Sequence, residues 1–221
     1  MKFKTVLFAS MLLAAGSAVA AEDSGFYVGA GVGYGKINVN ENKLDNILDG
    51  ALNPDYYVGK STVGQGATPW DIMVGYKFMK YFALELAYYD LGNADYKAKV
   101  YESEGNTVAG SAKGQWEAKG WPLSAVGIWP INDQFDVFGK VGLFMGDVKF
   151  SRKAKDFSNA ELAGRSNSQS STEFIGGVGA DWHFMDQWTA RAEWQALPSL
   201  GNSKTGDGNW NDLQFNIIYS F

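Results

Sequence analysis

The chain has 221 residues, with no Cys, 27 Gly, 8 Trp, 11 Tyr and 14 Phe, and only 19% of its residues are charged. Its formal net charge is −5, and removing Lys2 and Lys4 with the leader described below takes it to −7. That balance argues against a nucleic-acid partner, and the lack of cysteine excludes both a disulfide framework and an acylated lipoprotein terminus.

Lys2 and Lys4 precede an apolar run from Val6 to Ala15, followed by small residues and Ala18-Val19-Ala20. This reads as a secretory signal over residues 1–20, leaving a mature domain over 21–221. Nothing after it is apolar for long enough to form a membrane helix, so a membrane-spanning reading requires strands.

Eight segments alternate with the period of a β-strand, which places successive side chains on opposite faces. In "FYVGAGVGYG", Val28, Val32 and Tyr34 oppose Gly29, Gly31 and Gly33. "WDIMVGYKF" sets Trp70, Ile72 and Val74 against Asp71 and Met73, and "FALELAYYDL" sets Phe82, Leu84 and Leu86 against Ala83 and Glu85. "WPLSAVGIW" is the least regular, because Val126 and Ile128 fall on the parity opposite Leu123 and Trp129. "FDVFGKVGLFM" opposes Val137, Val141 and Leu143 to Asp136 and Lys140, and "EFIGGVGADWHF" opposes Phe174, Val178 and Trp182 to Asp181 and His183. "WTARAEWQ" separates Trp188 and Trp194 from Arg191 and Glu193. The terminal "NDLQFNIIYSF" places Leu213, Phe215, Ile217, Tyr219 and Phe221 on one face.

The connections alternate strictly. Short ones (Met79 to Tyr81, Pro130 to Gln134, Met185 to Gln187) interleave with long ones (Lys36 to Ala67, Gly92 to Gly114, Gly146 to Ser170, Leu197 to Asn209). One face of each strand is aliphatic at its centre and aromatic towards its ends, while the other carries Gly and charges of both signs. Two aromatic girdles around an aliphatic band suit a lipid-facing exterior; a soluble barrel would carry the opposite polarity. The predicted fold is therefore all-β: an eight-stranded antiparallel up-and-down transmembrane barrel in the outer membrane of a Gram-negative cell. Short turns and both termini are expected to be periplasmic, with four long loops outside. In the first loop, Leu44, Ile47 and Leu48 stand at helical spacing and predict a short amphipathic helix.

A barrel this narrow is filled by its own side chains. The inward charges Glu85, Lys140, Asp181, Arg191 and Glu193 are expected to pair in a network, because isolated charges in a confined interior are costly. They would hold register; the sharper reading is a gate that exchanges partners to pass small ions. These same residues, with "TARAEWQ" on the seventh strand, give the sequence a resemblance to the transmembrane domain of OmpA-type outer membrane proteins. That resemblance implies a barrel with an Arg, Lys and Glu network inside and no cofactor. Members of that family typically continue into a peptidoglycan-binding domain, which has no counterpart before Phe221, so cell-wall anchoring is not carried over. Phe221 and Tyr219 resemble the terminal signal read by the barrel-assembly machinery.

Outer membrane lipids and lipopolysaccharide are the expected surroundings of a monomer, with Lys149, Arg152 and Lys153 in the third long loop as lipopolysaccharide contacts. The surface ligand is not readable. "GAGVGYG" lacks the third glycine of a dinucleotide fingerprint, having Tyr34 in its place. His183 is the only histidine, so no zinc cluster and no metal or catalytic residue is assigned. The rival reading, a barrel enzyme acting on lipid A or peptides, would need its base at the outer rim, and His183 adjoins a short turn.

Overall fold

Side-chain alternation closes this chain on itself. A computed structural model describes residues 24–156, 161–202 and 205–221; the leader assigned to residues 1–20 lies outside them. The elements in chain order are β1 (Gly25–Val39), α1 (Glu41–Asp49), β2 (Tyr56–Val63), β3 (Gly66–Ala67), β4 (Trp70–Met79) and β5 (Phe82–Glu102). They continue with β6 (Val108–Pro130), β7 (Phe135–Asp156), β8 (Glu161–Met185), β9 (Trp188–Asn202) and β10 (Gly206–Ser220). Eight of these strands form an antiparallel ring in the order β10-β9-β8-β7-β6-β5-β4-β1, and β1 pairs back onto β10 from Tyr27↔Ser220 to Val39↔Gly208. Closure gives each strand of the ring a hydrogen-bonded neighbour on both sides in its barrel part, which a membrane-spanning sheet requires.

The sidedness follows the sequence pattern. Val32 is 61% exposed and Phe174 74% exposed, whereas Glu85 and Arg191 on the opposite parity are each 4% exposed. The irregular Val126 and Ile128 also point inward and are buried. At the short-turn end, rings meet across strands, as in Phe78 with Phe82 (centroids 6.0 Å apart) and Trp188 with Tyr219 (5.0 Å). At the other end Tyr88 contacts both Trp70 (5.7 Å) and Trp121 (5.0 Å). These are the two girdles that bound the aliphatic band.

The expectation of strands of about ten residues holds only for β4; β1, β9 and β10 have 15 residues each. β5, β6, β7 and β8 have 21, 23, 22 and 25 residues, so most of the supposed loops Gly92 to Gly114 and Gly146 to Ser170 are strand. Beyond the girdle, the four strands rise as a sheet whose polarity is reversed. Tyr96, Trp116, Phe144 and Phe150 point inward and are buried with Leu44 and Leu48 of α1 and with Ile37, Leu197 and Trp210. Lysines and acids occupy the outward positions. Water in place of lipid explains the reversal, since outside the bilayer apolar side chains gain by facing in.

In β5 a bulge between Asp90 and Asn93 shifts the register and with it the parity: outward positions are even-numbered up to Asp90 and odd-numbered from Asn93. Gly92 makes the bulge possible with φ +80°, a conformation open to Gly at little steric cost, and its N–H donates to Asp90 Oδ1 at 3.0 Å.

The helix α1 forms where Leu44, Ile47 and Leu48 suggest one. Asn40 caps it by accepting from the Lys43 N–H at 3.4 Å. Its acidic face covers the free edge of β2: Val58 N–H donates to Asp49 Oδ1 (2.5 Å), Val63 N–H to Glu41 Oε1 (3.2 Å) and Ser61 Oγ to Asp45 Oδ2 (2.9 Å).

Candidate functional site

The barrel interior is built by direct opposition of inward residues on neighbouring strands. Asp181 of β8 stands across from Arg191 of β9, and the guanidinium forks onto that carboxylate through Nε (2.7 Å) and Nη2 (2.8 Å). Its third donor, Nη1, reaches Glu85 Oε1 at 2.5 Å, and the Phe138 ring lies 4.1 Å from the guanidinium carbon. A bidentate pair with a cation–π contact suits the planar guanidinium better than any lysine could. Tyr27 Oη donates to the same Glu85 oxygen at 2.8 Å.

Lys140 forms a second centre. Its Nζ donates to Glu193 Oε1 at 2.6 Å and lies 4.0 Å from Glu85 Oε2. Tyr89 Oη sits 3.4 Å from both Lys140 Nζ and Glu193, and accepts from Gln195 Nε2 at 2.5 Å. The five charges singled out in the sequence thus form one cluster bridged by Glu85. Asp71 lies in a separate group, where Gln214 and, at 2.7 Å, Asn216 donate to its Oδ1. At the short-turn end, His183 places Nε2 2.9 Å from Asp136 Oδ2 and Nδ1 2.8 Å from Thr189 Oγ1.

Among the described residues, Asp71, Glu85, Asp136, Asp181, Glu193 and Asp212 are buried carboxylates in the barrel, against the buried cations Lys140 and Arg191. The charges of the interior are predominantly acidic, and no group of three or more His, Cys, Asp or Glu among the described residues is arranged to hold a metal ion.

A family model of the OmpA-like transmembrane domain matches residues 21–221. The chain belongs to that family. Curated relatives include outer membrane protein P5 of Haemophilus influenzae, 26% identical over 96% of this chain and 55% of that protein, and outer membrane protein A of Serratia marcescens, 24% identical over 91% and 51%. The chain spans about half the length of these relatives. Among solved structures, Neisserial surface protein A superposes with a TM-score of 0.49 at 12% identity, covering 90% of this chain and all of that one. This OmpA-like chain is accordingly an outer membrane protein.

Three neutral partners of the OmpA-like lumen cluster, Tyr27, Tyr89 and Gln195, were not singled out by sequence reasoning. Inward parity was their only signal, and parity does not say which inward residues meet. The residues assigned to lipopolysaccharide do not share a face. Lys149 and Lys153 point outward and are exposed, whereas Arg152 points inward, 6% exposed, with Nε and Nη1 lacking any partner. Burial and the neighbouring Arg165 charge hold its guanidinium below its ordinary pKa. The alternation of β7 explains the separation, since adjacent residues cannot face the same way. At the other end of the ring, the Phe221 N–H donates to Phe26 O at 3.0 Å, and its ring packs edge-on against Tyr219 at 5.1 Å.

Proposed function

We propose that the chain is a structural and surface-interacting barrel: a plugged cylinder that anchors a folded extension outside the cell, with both termini in the periplasm. The observation that carries this reading is the reversal of polarity along β5 to β8. A strand clad in Leu84, Leu86 and Tyr88 and then in Asp95, Lys97 and Lys99 leaves lipid and enters water. Four strands rising past the girdle, with their own apolar core, form a rigid platform for contact with other surfaces. Closed pairing of the ring suits a monomer. The aromatic contacts of Tyr219 and Phe221 support their reading as the segment met by the barrel-assembly machinery. Just above Trp121, Lys119 and Lys149 alternate with Asp147 and Glu117 on facing strands, a belt suited to lipid headgroups and their counter-ions.

Because the chain has no cysteine, its orientation is testable with single thiols. Glu104→Cys, at the tip of the extension, is expected to react with a membrane-impermeant reagent on intact cells, and Lys80→Cys, in a short turn, only after the cells are broken. The opposite labelling pattern overturns the orientation.

A second reading, a narrow gated pore, is favoured by one observation: Lys140 lies between Glu193 and Glu85 and could exchange one for the other. Planar-bilayer recording decides. A plug predicts no current from the wild type and leak on reversing Glu85→Arg or Arg191→Glu singly; a gate predicts wild-type openings, cation-selective given the acidic interior. Catalysis is not proposed, because His183 is held between Asp136 and Thr189 at the short-turn end, away from the outer leaflet. Lipid A deacylation or peptide cleavage that disappears in His183→Ala would reverse that choice.

A further inference from the structure

The outer end of the lumen collects oxygen atoms that no donor reaches. Among the described residues, seven buried carboxylate and amide oxygens lack a hydrogen-bond partner: one each on Asp71, Glu193, Gln195, Gln214 and Asn216, and both on Asp212. These side chains are fully enclosed, Asp212 with 2% and Gln195 with 0% exposure. Buried polar atoms are ordinarily paired, and a bare carboxylate is the costliest exception. Chemistry fixes which end of two amides is bare. Gln214 Nε2 and Asn216 Nδ2 both donate to Asp71 Oδ1, and an ionised carboxylate can only accept, so their oxygens are the atoms turned away. Gln195 likewise spends its Nε2 on Tyr89 Oη.

Four of these residues form a block on adjacent strands. Gln195 of β9 stands directly across from Asp212 of β10, and Glu193 across from Gln214. On the other side of β10 their neighbours in β1 are Gly35 and Gly33, which bring no side chain into the lumen. Asp212 Oδ2 and Gln214 Oε1 lie 3.1 and 2.9 Å from the point above Gly33 where a Cβ would project, so the two oxygens border one space. Ile37, Leu197 and Trp210, each two residues further out on β1, β9 and β10, close that space with buried apolar surface.

Charge points to the same place. The charged groups that act on Asp212 are Glu193, Asp71 and Lys140, so three carboxylates face one ammonium, and that ammonium is already bonded to Glu193 Oε1 at 2.6 Å. Arg191 gives no relief, since it is engaged by Asp181 and Glu85. The carboxylates alone do not assemble a metal site; the amide oxygens beside them complete one. Carboxylate and amide oxygens are ligands for hard cations, and Ca²⁺ accepts about six to eight of them in a flexible arrangement, whereas Mg²⁺ demands a near-ideal octahedron. We infer that the outer end of the lumen binds a Ca²⁺ ion, with Asp212 as its principal ligand and with Gln214, Gln195 and Glu193 contributing the oxygens that their other hydrogen bonds leave bare. An ion held there ties β9 to β10 beside the β1–β10 seam and so reinforces closure of the ring.

The site goes beyond the proposed surface role and does not depend on it, because it lies inside the ring whichever way the barrel is oriented. The protein is reconstituted in phosphatidylcholine discs free of lipopolysaccharide, stripped with EDTA and dialysed against radioactive Ca²⁺. The wild type should take up Ca²⁺ saturably, and its urea midpoint should rise with Ca²⁺ concentration, as binding to the folded state requires. Asp212→Asn should weaken Ca²⁺ binding at least about tenfold, since the charge of the ligands sets affinity. In EDTA the same variant should unfold at higher urea than the wild type, because it removes an unpaired buried charge. Gln195→Glu should do the reverse: a lower midpoint in EDTA that Ca²⁺ restores. Asp136→Asn, at the short-turn end, should bind Ca²⁺ as the wild type does. Circular dichroism melts establish that each variant is folded. No saturable uptake by the wild type, unchanged affinity in folded Asp212→Asn, or a Gln195→Glu defect that Ca²⁺ leaves unrepaired would each overturn the inference.

Discussion

Tyr27 reaches Glu85 across a strand to which neither belongs. Its hydroxyl donates to Glu85 Oε1 at 2.8 Å, and Gly75 of β4 stands directly opposite both residues, Tyr27 on one side and Glu85 on the other. The phenol ring lies over Gly75 in the space where a Cβ would project. Gly75→Leu should therefore displace the ring, break the bond to Glu85 and overpack the lumen. The expected loss is about 2–3 kcal/mol, measured by urea unfolding of the lipid-reconstituted protein. An unchanged midpoint would mean that the ring has another resting place.

Arg191 bonds two buried carboxylates at close range, Asp181 through a fork and Glu85 through Nη1. Arg191→Leu leaves Glu85 and Asp181 buried without their cation, which should cost about 3–5 kcal/mol. Adding Glu85→Gln and Asp181→Asn should recover much of that loss. The outer pair Lys119–Asp90, whose lysine is half exposed, is the contrast: Lys119→Ala should change stability by less than about 1 kcal/mol. The same unfolding assay ranks all of these.

Ile217 lies on the outward face of β10, paired with Ala30 of β1 and Ala190 of β9. Ile217→Arg places a cation near the bilayer midplane, with an expected cost of about 2–4 kcal/mol and a reduced yield of folded barrel in the outer membrane. The neighbouring Asn216 faces the lumen, so Asn216→Ser should leave yield close to wild type. Equal yields for both variants would contradict the sidedness.

Gly92→Ala should loosen the extension while sparing the membrane barrel. Its φ of +80° disfavours any L side chain, and the added Cβ would lie 3.0 Å from Ala67 Cβ. A cost of about 1–2 kcal/mol should appear as faster proteolysis within the outer parts of β5 and β6, with the unfolding midpoint of the membrane ring little changed.

The extension should also respond to pH through Asp49. Burial, with a smaller contribution from Asp45, raises its pKa above the ordinary carboxylate value, against the opposing effect of the Val58 N–H. A folded pKa above the unfolded one means that folding binds the proton. Asp49 therefore favours the folded extension most below the unfolded pKa, and that contribution falls away as pH rises through the folded value. Protection factors in α1 and β2, which are exchange rates divided into the intrinsic rate at each pH, should fall across this interval in the wild type. In Asp49→Asn, which keeps an acceptor for the Val58 N–H, they should be flat; a fall of the same size in both proteins would assign the effect to another group.

Sequence alone determined the ring. Period-two alternation is a local property of extended backbone, and lipid enforces it on every spanning strand, so Val28 to Tyr34 or Trp188 to Trp194 could be assigned to faces without knowing their neighbours. The inward set Glu85, Lys140, Asp181, Arg191 and Glu193 was legible for the same reason, and so was the helix around Leu44 and Leu48. Only the tertiary structure decided which inward residues meet: Arg191 contacts Glu85 at a separation of 106 residues, a proximity created by closure of the ring. It also decided where the strands stop. Beyond the girdle, water reverses the preferred faces, and in β5 one bulge at Gly92 shifts the parity, so a continuing strand reads as polar loop. In β7, by contrast, the alternation runs unbroken from Asp136 and Lys140 to Arg152, so the inward position of Arg152 is the one that parity carries out of the bilayer.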